Sequence, residues 1–186
     1  MVKVLGLIPA RSGSKRIEGK NIKLLAGRPL ISWTILEALK SAWLDRVAVS
    51  SDSEEALTIA EELGVEVIKR PPLLAQDSSL VYGAIIHALS EISADFVCLL
   101  QPTSPMRTAE DIDGCIIACG NEKACVSVTE GTNVPNGAVY VGREDWLRGG
   151  GNFDTPGLLQ YKMPAGRSVD INTQEEFDQA EGLMSA

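Results

Sequence analysis

Short apolar runs alternate along this chain with segments whose apolar positions recur at three- and four-residue intervals. The runs Val2–Ile8, Arg46–Ser50, Val65–Ile68, Asp95–Leu100, Ala124–Val128 and Ala138–Val141 predict strands. The first is continuous enough for a strand buried on both faces of a parallel sheet. Between them, Ile31, Ile35, Ala38, Leu39 and Ala42 share one face of a helix predicted over Pro29–Trp43, with Pro29 suited to its first turn. A second helix is predicted over Ser53–Leu63, with Asp52 and Glu55 as its capping pair and Gly64 as its stop. A third, Leu80–Ile92, carries Ile85, Ile86 and Leu89. Thr108-Ala-Glu-Asp111 opens a helix running to about Gly120, and Thr173-Gln-Glu-Glu176 opens a last one to about Leu183. From Gly142 to Met163 the periodicity fades, and Gly149 to Gly151 are consecutive glycines.

This alternation predicts the α/β class, with a mostly parallel sheet covered by helices on both faces. No repeat, low-complexity tract or linker interrupts it, and 186 residues suit a single domain. Sheets of this kind bind ligands beyond the C-terminal ends of their strands. Four polar clusters fall at those ends: Arg11–Lys20, Ser50–Asp52, Arg70–Asp77 and Gln101–Arg107.

Charge singles out the first of them. The opening 28 residues hold seven cations (Lys3, Arg11, Lys15, Arg16, Lys20, Lys23 and Arg28) and one acid, Glu18, in a chain of net charge -8. A basic loop on an acidic protein suits a small anion such as a nucleotide better than a nucleic-acid polymer. Gly and Ser in the loop allow backbone N–H groups to approach phosphate oxygens, and Lys and Arg add charge-assisted bonds. The alternative is a solvated basic loop. The four cysteines Cys98, Cys115, Cys119 and Cys125 include no C-x-x-C pair, and His87 is the one histidine. Buried thiols are therefore expected rather than a zinc site, and a Ser-His-Asp enzyme is disfavoured. No apolar run reaches the roughly 18–20 residues that span a bilayer, and Met1-Val-Lys-Val-Leu5 reads as strand rather than leader. A cytoplasmic location is the expectation.

The loop is neither a G-x-x-x-x-G-K-[ST] phosphate loop nor a G-x-G-x-x-G dinucleotide fingerprint. Instead, Pro9-Ala-Arg-Ser-Gly-Ser-Lys15 followed by Lys20-Asn21 resembles the opening motif of acylneuraminate cytidylyltransferases, the CMP-sialic acid synthetases. Further similar motifs follow in the family's order: Val49-Ser-Ser-Asp52, Arg70-Pro71 with Asp77, and Leu100-Gln-Pro-Thr-Ser-Pro105 with Arg107. Pro135-Asn-Gly-Ala-Val-Tyr140 and Ser168-Val-Asp-Ile-Asn-Thr173 complete the set.

The resemblance implies a Rossmann-like nucleotide-diphospho-sugar transferase fold and transfer of CMP from CTP to a sialic-acid-like nonulosonic acid, with Mg²⁺ and release of pyrophosphate. It implies that Ala10, Arg11, Ser12, Gly13, Lys15, Lys20 and Asn21 bind the nucleotide. It assigns Arg70 and the turn of Asp77, Ser78 and Ser79 to cytosine and ribose. Gln101, Thr103, Asn136 and Gly137 would face the sugar acid, and Asp170 with Asn172 the metal. Catalysis would rest on Arg11, Lys20, Gln101 and Asp170. Read as bare residues, Arg70 is also a surface cation before a Pro-Pro turn, and Asp170 a helix-entry acid before the Thr173 cap.

Three departures bear on that picture. The closing Asp-x-Asp of the family stands here as Asp170-Ile-Asn172, which removes one negative charge from the metal site. Val134 stands where arginine is common before Pro-Asn-Gly. Only the five residues Glu130 to Val134 replace a longer extension that builds the family's homodimer, so this chain is a short form whose dimerisation is in question. Two other readings stay open: a nucleotidyltransferase activating a different acid, Kdo-like or a phosphonate, and a catalytically weakened CTP- or CMP-binding protein.

Overall fold

The computed structural model describes residues 2–71 and 81–185. In chain order its strands are β1 (Val4–Ala10), β2 (Leu24–Leu25), β3 (Arg28–Pro29), β4 (Arg46–Ser51), β5 (Glu66–Lys69), β6 (Phe96–Leu99), β7 (Ala124–Thr129), β8 (Pro135–Arg143) and β9 (Leu159–Met163). Its helices are α1 (Leu30–Lys40), α2 (Glu54–Glu62), α3 (Val81–Glu91), α4 (Ala109–Cys119), α5 (Glu144–Arg148) and α6 (Gln174–Met184). Seven strands form one sheet in the order β5-β4-β1-β6-β8-β7-β9, and β2 and β3 make a separate hairpin. The β1–β4, β1–β6, β4–β5 and β7–β9 pairs are parallel, whereas β8 runs antiparallel to both β6 and β7.

Strand alternation builds two cores. Val4, Ile8 and Ala10 of β1 pack on the face covered by α1, α2 and α4. Leu5 and Leu7 turn to the other face, with Ile85 and Leu89 of α3 and Leu147 of α5. Apolar residues on both sides of β1 account for its unbroken hydrophobic run. All four cysteines are buried and free, and they belong to the first core. Burial raises the Cys98 thiol far above its usual range. A third core joins Ile17, Leu25 and Leu30 to Ile171, Phe177 and Ala180, so α6 clamps the loop after β1.

The structure departs from the pattern in four places. Helix α1 stops at Lys40 because Ser41 is extended (φ -62°, ψ 134°) and its hydroxyl donates to the Asp113 carboxylate; Leu39 is consequently 48% exposed and Trp43 51%. Ser53, not Asp52, caps α2, accepting from the Ala56 N–H at 3.3 Å. β8 begins at Pro135, three residues before the predicted strand. The weak stretch after Gly142 contains α5 and the edge strand β9. The capping boxes at Thr108 and Thr173 form as predicted. Among the described residues, no helix is long and apolar enough to cross a membrane.

Candidate active site

The basic loop leaves β1 at Ala10 and is held from several directions. Ile17 is buried against Ile171 and Phe177. The Asn21 side-chain amide donates to the Arg11 carbonyl at 3.0 Å, and Lys20 Nζ donates to the Ile171 carbonyl at 2.8 Å. Lys23 reaches Gln174 Oε1 at 2.7 Å and lies 4.7 Å from the centre of the Phe177 ring. The neighbouring strand end adds a further tie, because Ala10 and Ser51 are register partners across β1 and β4. The Ser51 hydroxyl donates to the Ala10 carbonyl. Asp52 then accepts the Ser12 N–H at 2.8 Å and the Ser12 hydroxyl at 2.5 Å. Burial works against the Asp52 carboxylate, yet these bonds from Ser12 hold its pKa below the usual value.

Beyond the ends of β1, β5 and β6 lies a cavity of about 250 Å³. It brings together seven residues singled out in the sequence: Arg11, Lys20, Asn21, Arg70, Gln101, Thr103 and Asn172. Arg16 joins them. A second cavity of about 380 Å³ shares Arg11 and Asn21 and takes in Ser12, Gly19 and Glu55. Arg70 is 6% exposed and therefore not a surface cation. Its backbone N–H donates to the Ser51 carbonyl at 2.7 Å and its guanidinium to the Ser50 carbonyl at 2.5 Å, while Nε is buried without a partner. Burial lowers the pKa of both Lys20 and Arg70; Asp170 opposes the shift on Lys20, and Asp52 the shift on Arg70. Ala10 is buried beneath the loop, and Gly13 and Lys15 lie exposed on it, outside the lining of either cavity. Asp77, Ser78 and Ser79 lie outside the described residues.

Asp170 sits over Gly137, where a Cβ would stand 3.6 Å from the carboxyl carbon at a backbone φ of +76°. The Gly137 N–H donates to the Tyr140 hydroxyl at 3.2 Å. Asp170 Oδ2 accepts the Asn172 side-chain amide at 2.6 Å, while Oδ1 is buried with no hydrogen-bond partner. Glu176 fixes the turn by accepting the Asn172 and Thr173 N–H groups at 2.7 and 2.8 Å. The Ile171 N–H donates to the Thr103 carbonyl at 2.8 Å, which docks this turn on the loop after β6.

Asn136 is turned inward. Its oxygen accepts from the Ser127 hydroxyl at 2.6 Å and the Ala138 N–H at 3.2 Å, and its amide donates to the Ser168 hydroxyl at 3.0 Å. It is 7% exposed and does not line the cavity, so it shapes the Gly137 turn from behind. Asp52, Arg16 and Glu176 stood in the sequence as a helix cap and motif residue, a loop cation and a capping-box acid; that Asp52 holds Ser12, that Arg16 lines the cavity and that Glu176 accepts the Asn172 N–H is visible only in the fold. Asp52 had a local signal, a carboxylate at a strand end, but its partner depends on β4 lying beside β1.

The arrangement is a strongly cationic cleft; Asp170 does not line it but is bonded to Asn172, which does, and keeps one carboxylate oxygen without a hydrogen-bond partner. The cleft can hold a polyanion and a second ligand beside it. A family model described as cytidylyltransferase matches residues 5–141. A CMP-N,N'-diacetyllegionaminic acid synthase of Legionella pneumophila is 44% identical over 117 residues, covering 60% of this chain and 50% of that protein. An N-acylneuraminate cytidylyltransferase of Streptococcus agalactiae is 30% identical over 215 residues, covering 95% and 52%. A 3-deoxy-manno-octulosonate cytidylyltransferase of Bdellovibrio bacteriovorus is 40% identical over 114 residues, covering 60% and 44%. The chain thus spans about half the length of these curated relatives. In fold it is similar to a solved CMP:2-keto-3-deoxy-manno-octonic acid synthetase complexed with CTP, at TM-score 0.81 and 16% identity over 98% of each chain.

Proposed function

The chain belongs to the cytidylyltransferase family, and from that premise we propose that it transfers CMP from CTP to a nonulosonic sugar acid and releases pyrophosphate. One observation carries the reading: Arg11, Arg16, Lys20 and Arg70 line a single cavity together with Gln101, Thr103 and Asn172. Four cations without an equal number of acids in the lining suit a triphosphate, and the neutral polar residues suit a polyhydroxy acid.

In this reading Arg11 and Lys20, with Lys15 from the exposed part of the loop, neutralise the β- and γ-phosphates. Asn21 holds the loop closed through the Arg11 carbonyl. Arg70 serves the nucleoside end, the role that the family motif also gives to Asp77, Ser78 and Ser79. Gln101 and Thr103 orient the sugar acid so that its anomeric hydroxyl oxygen faces the α-phosphorus. That oxygen forms the new P–O bond as the bond to the pyrophosphate oxygen breaks in line, and the hydroxyl proton passes to solvent. Positioning and charge neutralisation carry the rate in such a transfer.

The residues present fit Mg²⁺. Asp170 keeps Oδ1 buried and unpartnered, and a hard oxygen donor is what this ion takes. Asp170 through Oδ1 and Asn172 through its amide oxygen would hold it, and when bound it neutralises phosphate oxygens.

Pyrophosphate release from CTP with Mg²⁺, assayed across nine- and eight-carbon ketosugar acids, tests the proposal. Release with a nine-carbon acid is expected. Preference for an eight-carbon acid would move the assignment to the octulosonate branch. CTP binding with no release on any acid would leave a binding protein.

A further inference from the structure

Arg107 is 1% exposed, yet among the described residues its guanidinium donates only to neutral acceptors, and its Nε has no partner. The guanidinium donates to the Ala138 carbonyl and to Thr34 Oγ1, each at 2.6 Å, and to the Gln101 carbonyl at 3.2 Å. The nearby acids are engaged elsewhere. Asp111 accepts two bonds from Arg167 at 2.8 and 2.9 Å, and Glu37 accepts the Ala109 N–H at 2.9 Å and pairs with Lys40. Among the described residues no ion pair joins Arg107 to a carboxylate. Burial accordingly pulls its pKa down to about 10.

Asp111 and Glu37 act on Arg107 only through their fields, without contact, and a buried cation so weakly compensated costs stability that an apolar side chain of similar volume would not. What the guanidinium supplies in return is geometric: a rigid planar fork that spans acceptors on three elements. Those elements are the loop after β6, strand β8 and helix α1. Gln101 lines the cavity, and Ala138 follows Gly137, the residue over which Asp170 sits. β6 and β8 pair no further than Leu99 with Tyr140, so beyond that point the two segments diverge without ladder bonds. Arg107 bridges them where the ladder ends.

We propose that Arg107 is a positioning residue that sets the spacing between the Gln101 loop and the Gly137–Asp170 contact, and so acts on the sugar-acid side of the site rather than the nucleotide side. The catalytic part of this inference rests on the proposed cytidylyl transfer; the spacing itself does not.

Arg107→Lys keeps the charge but loses the fork. Hydrogen–deuterium exchange is expected to quicken about fivefold or more in residues 100–107 and 135–140 together, with residues 10–21 unchanged. Calorimetric CTP affinity should stay within about twofold, while KM for N-acetylneuraminate, or for an eight-carbon ketosugar acid if that is the substrate, rises about tenfold or more. Even exchange across the whole chain, loosening of one segment only, or a parallel loss of CTP affinity would overturn the proposal. If the wild-type protein turns over no sugar acid, the functional reading fails and the exchange pattern still decides the spacing. If Arg107→Lys does not fold, Thr34→Val removes one acceptor and is expected to give the same pattern with smaller amplitude.

Discussion

The Lys20 ammonium lies 2.8 Å from the carbonyl oxygen of Ile171, which stands between Asp170 and Asn172. One side chain thereby joins the basic loop after β1 to the turn that carries the candidate metal ligands. Ile171 in turn is buried against Ile17 of the same loop, so the charged tie and the apolar tie act together. Lys20→Ala should therefore weaken both halves of the site. A loss of about 2–4 kcal/mol in transition-state stabilisation is expected, read as kcat/KM for CTP, with Arg11→Ala in the same range. Wild-type rates in both variants would refute the triphosphate assignment of this loop.

Asp52 holds the Ser12 N–H and hydroxyl at once. Asp52→Ala releases Ser12 and should raise KM for CTP about tenfold, close to 1.4 kcal/mol. Asp52→Asn keeps an acceptor for the N–H and should lose less. Equal KM values in wild type and Asp52→Ala would show that the loop keeps its shape without this tie.

Asn172 donates to one oxygen of Asp170, an arrangement a carboxylate at position 172 cannot reproduce while ionised. Asn172→Asp adds a charge that Mg²⁺ would neutralise. The half-saturating Mg²⁺ concentration should fall several-fold in a titration of turnover, with greater loss of stability when the metal is chelated. An unchanged titration curve would argue against a metal role for this turn.

The Asp111 side chain is fully buried and accepts from Arg167 and from the Thr108 N–H. Burial opposes its ionisation, yet those bonds bring its pKa below the usual value. A depressed folded-state pKa contributes stability above the unfolded value near 4, and that contribution is lost as pH falls through the folded value. Asp111→Asn should cost about 1–3 kcal/mol near neutrality. The gap in melting temperature between variant and wild type should narrow below about pH 4. A gap that stays constant down to pH 2 would disprove the linkage.

Gly114 lies inside α4, where glycine is intrinsically poor. A Cβ there would stand 2.5–2.6 Å from the Tyr161 ring and hydroxyl of β9. Gly114→Ala is therefore expected to destabilise by about 1–3 kcal/mol despite its better helix propensity, measured by urea unfolding. A stabilised variant would mean that β9 moves aside without cost.

How far the sequence could be read depends on the range of the interaction. Periodicity exposes elements that bury a stripe or both faces, and β1, β4, β6 and α3 do so. β9 carries only Met163 buried, so no alternation marked it. Asp52 was the cap expected for α2, but Ser53 took that place while the Asp52 carboxylate is engaged by Ser12 after the neighbouring strand. Asn136 shows the opposite failure. Its motif pointed to the ligand, but its hydrogen-bonding groups face the β7–β8 core.

By itself the sequence determined the α/β alternation, the two capping boxes, the basic loop at the end of the first strand and the order of motifs that places polar residues at strand ends. These are local patterns, written within a few residues of one another. The tertiary structure alone decided that Lys20 meets Ile171, that Asp52 holds Ser12 and that Arg107 bridges Gln101 and Ala138. Those partners stand 151, 40, 6 and 31 residues apart. The Ser12–Asp52 pair forms because β4 lies beside β1, and the Arg107–Ala138 pair because β8 lies beside β6, and no periodicity in a single chain encodes which strand lies beside which.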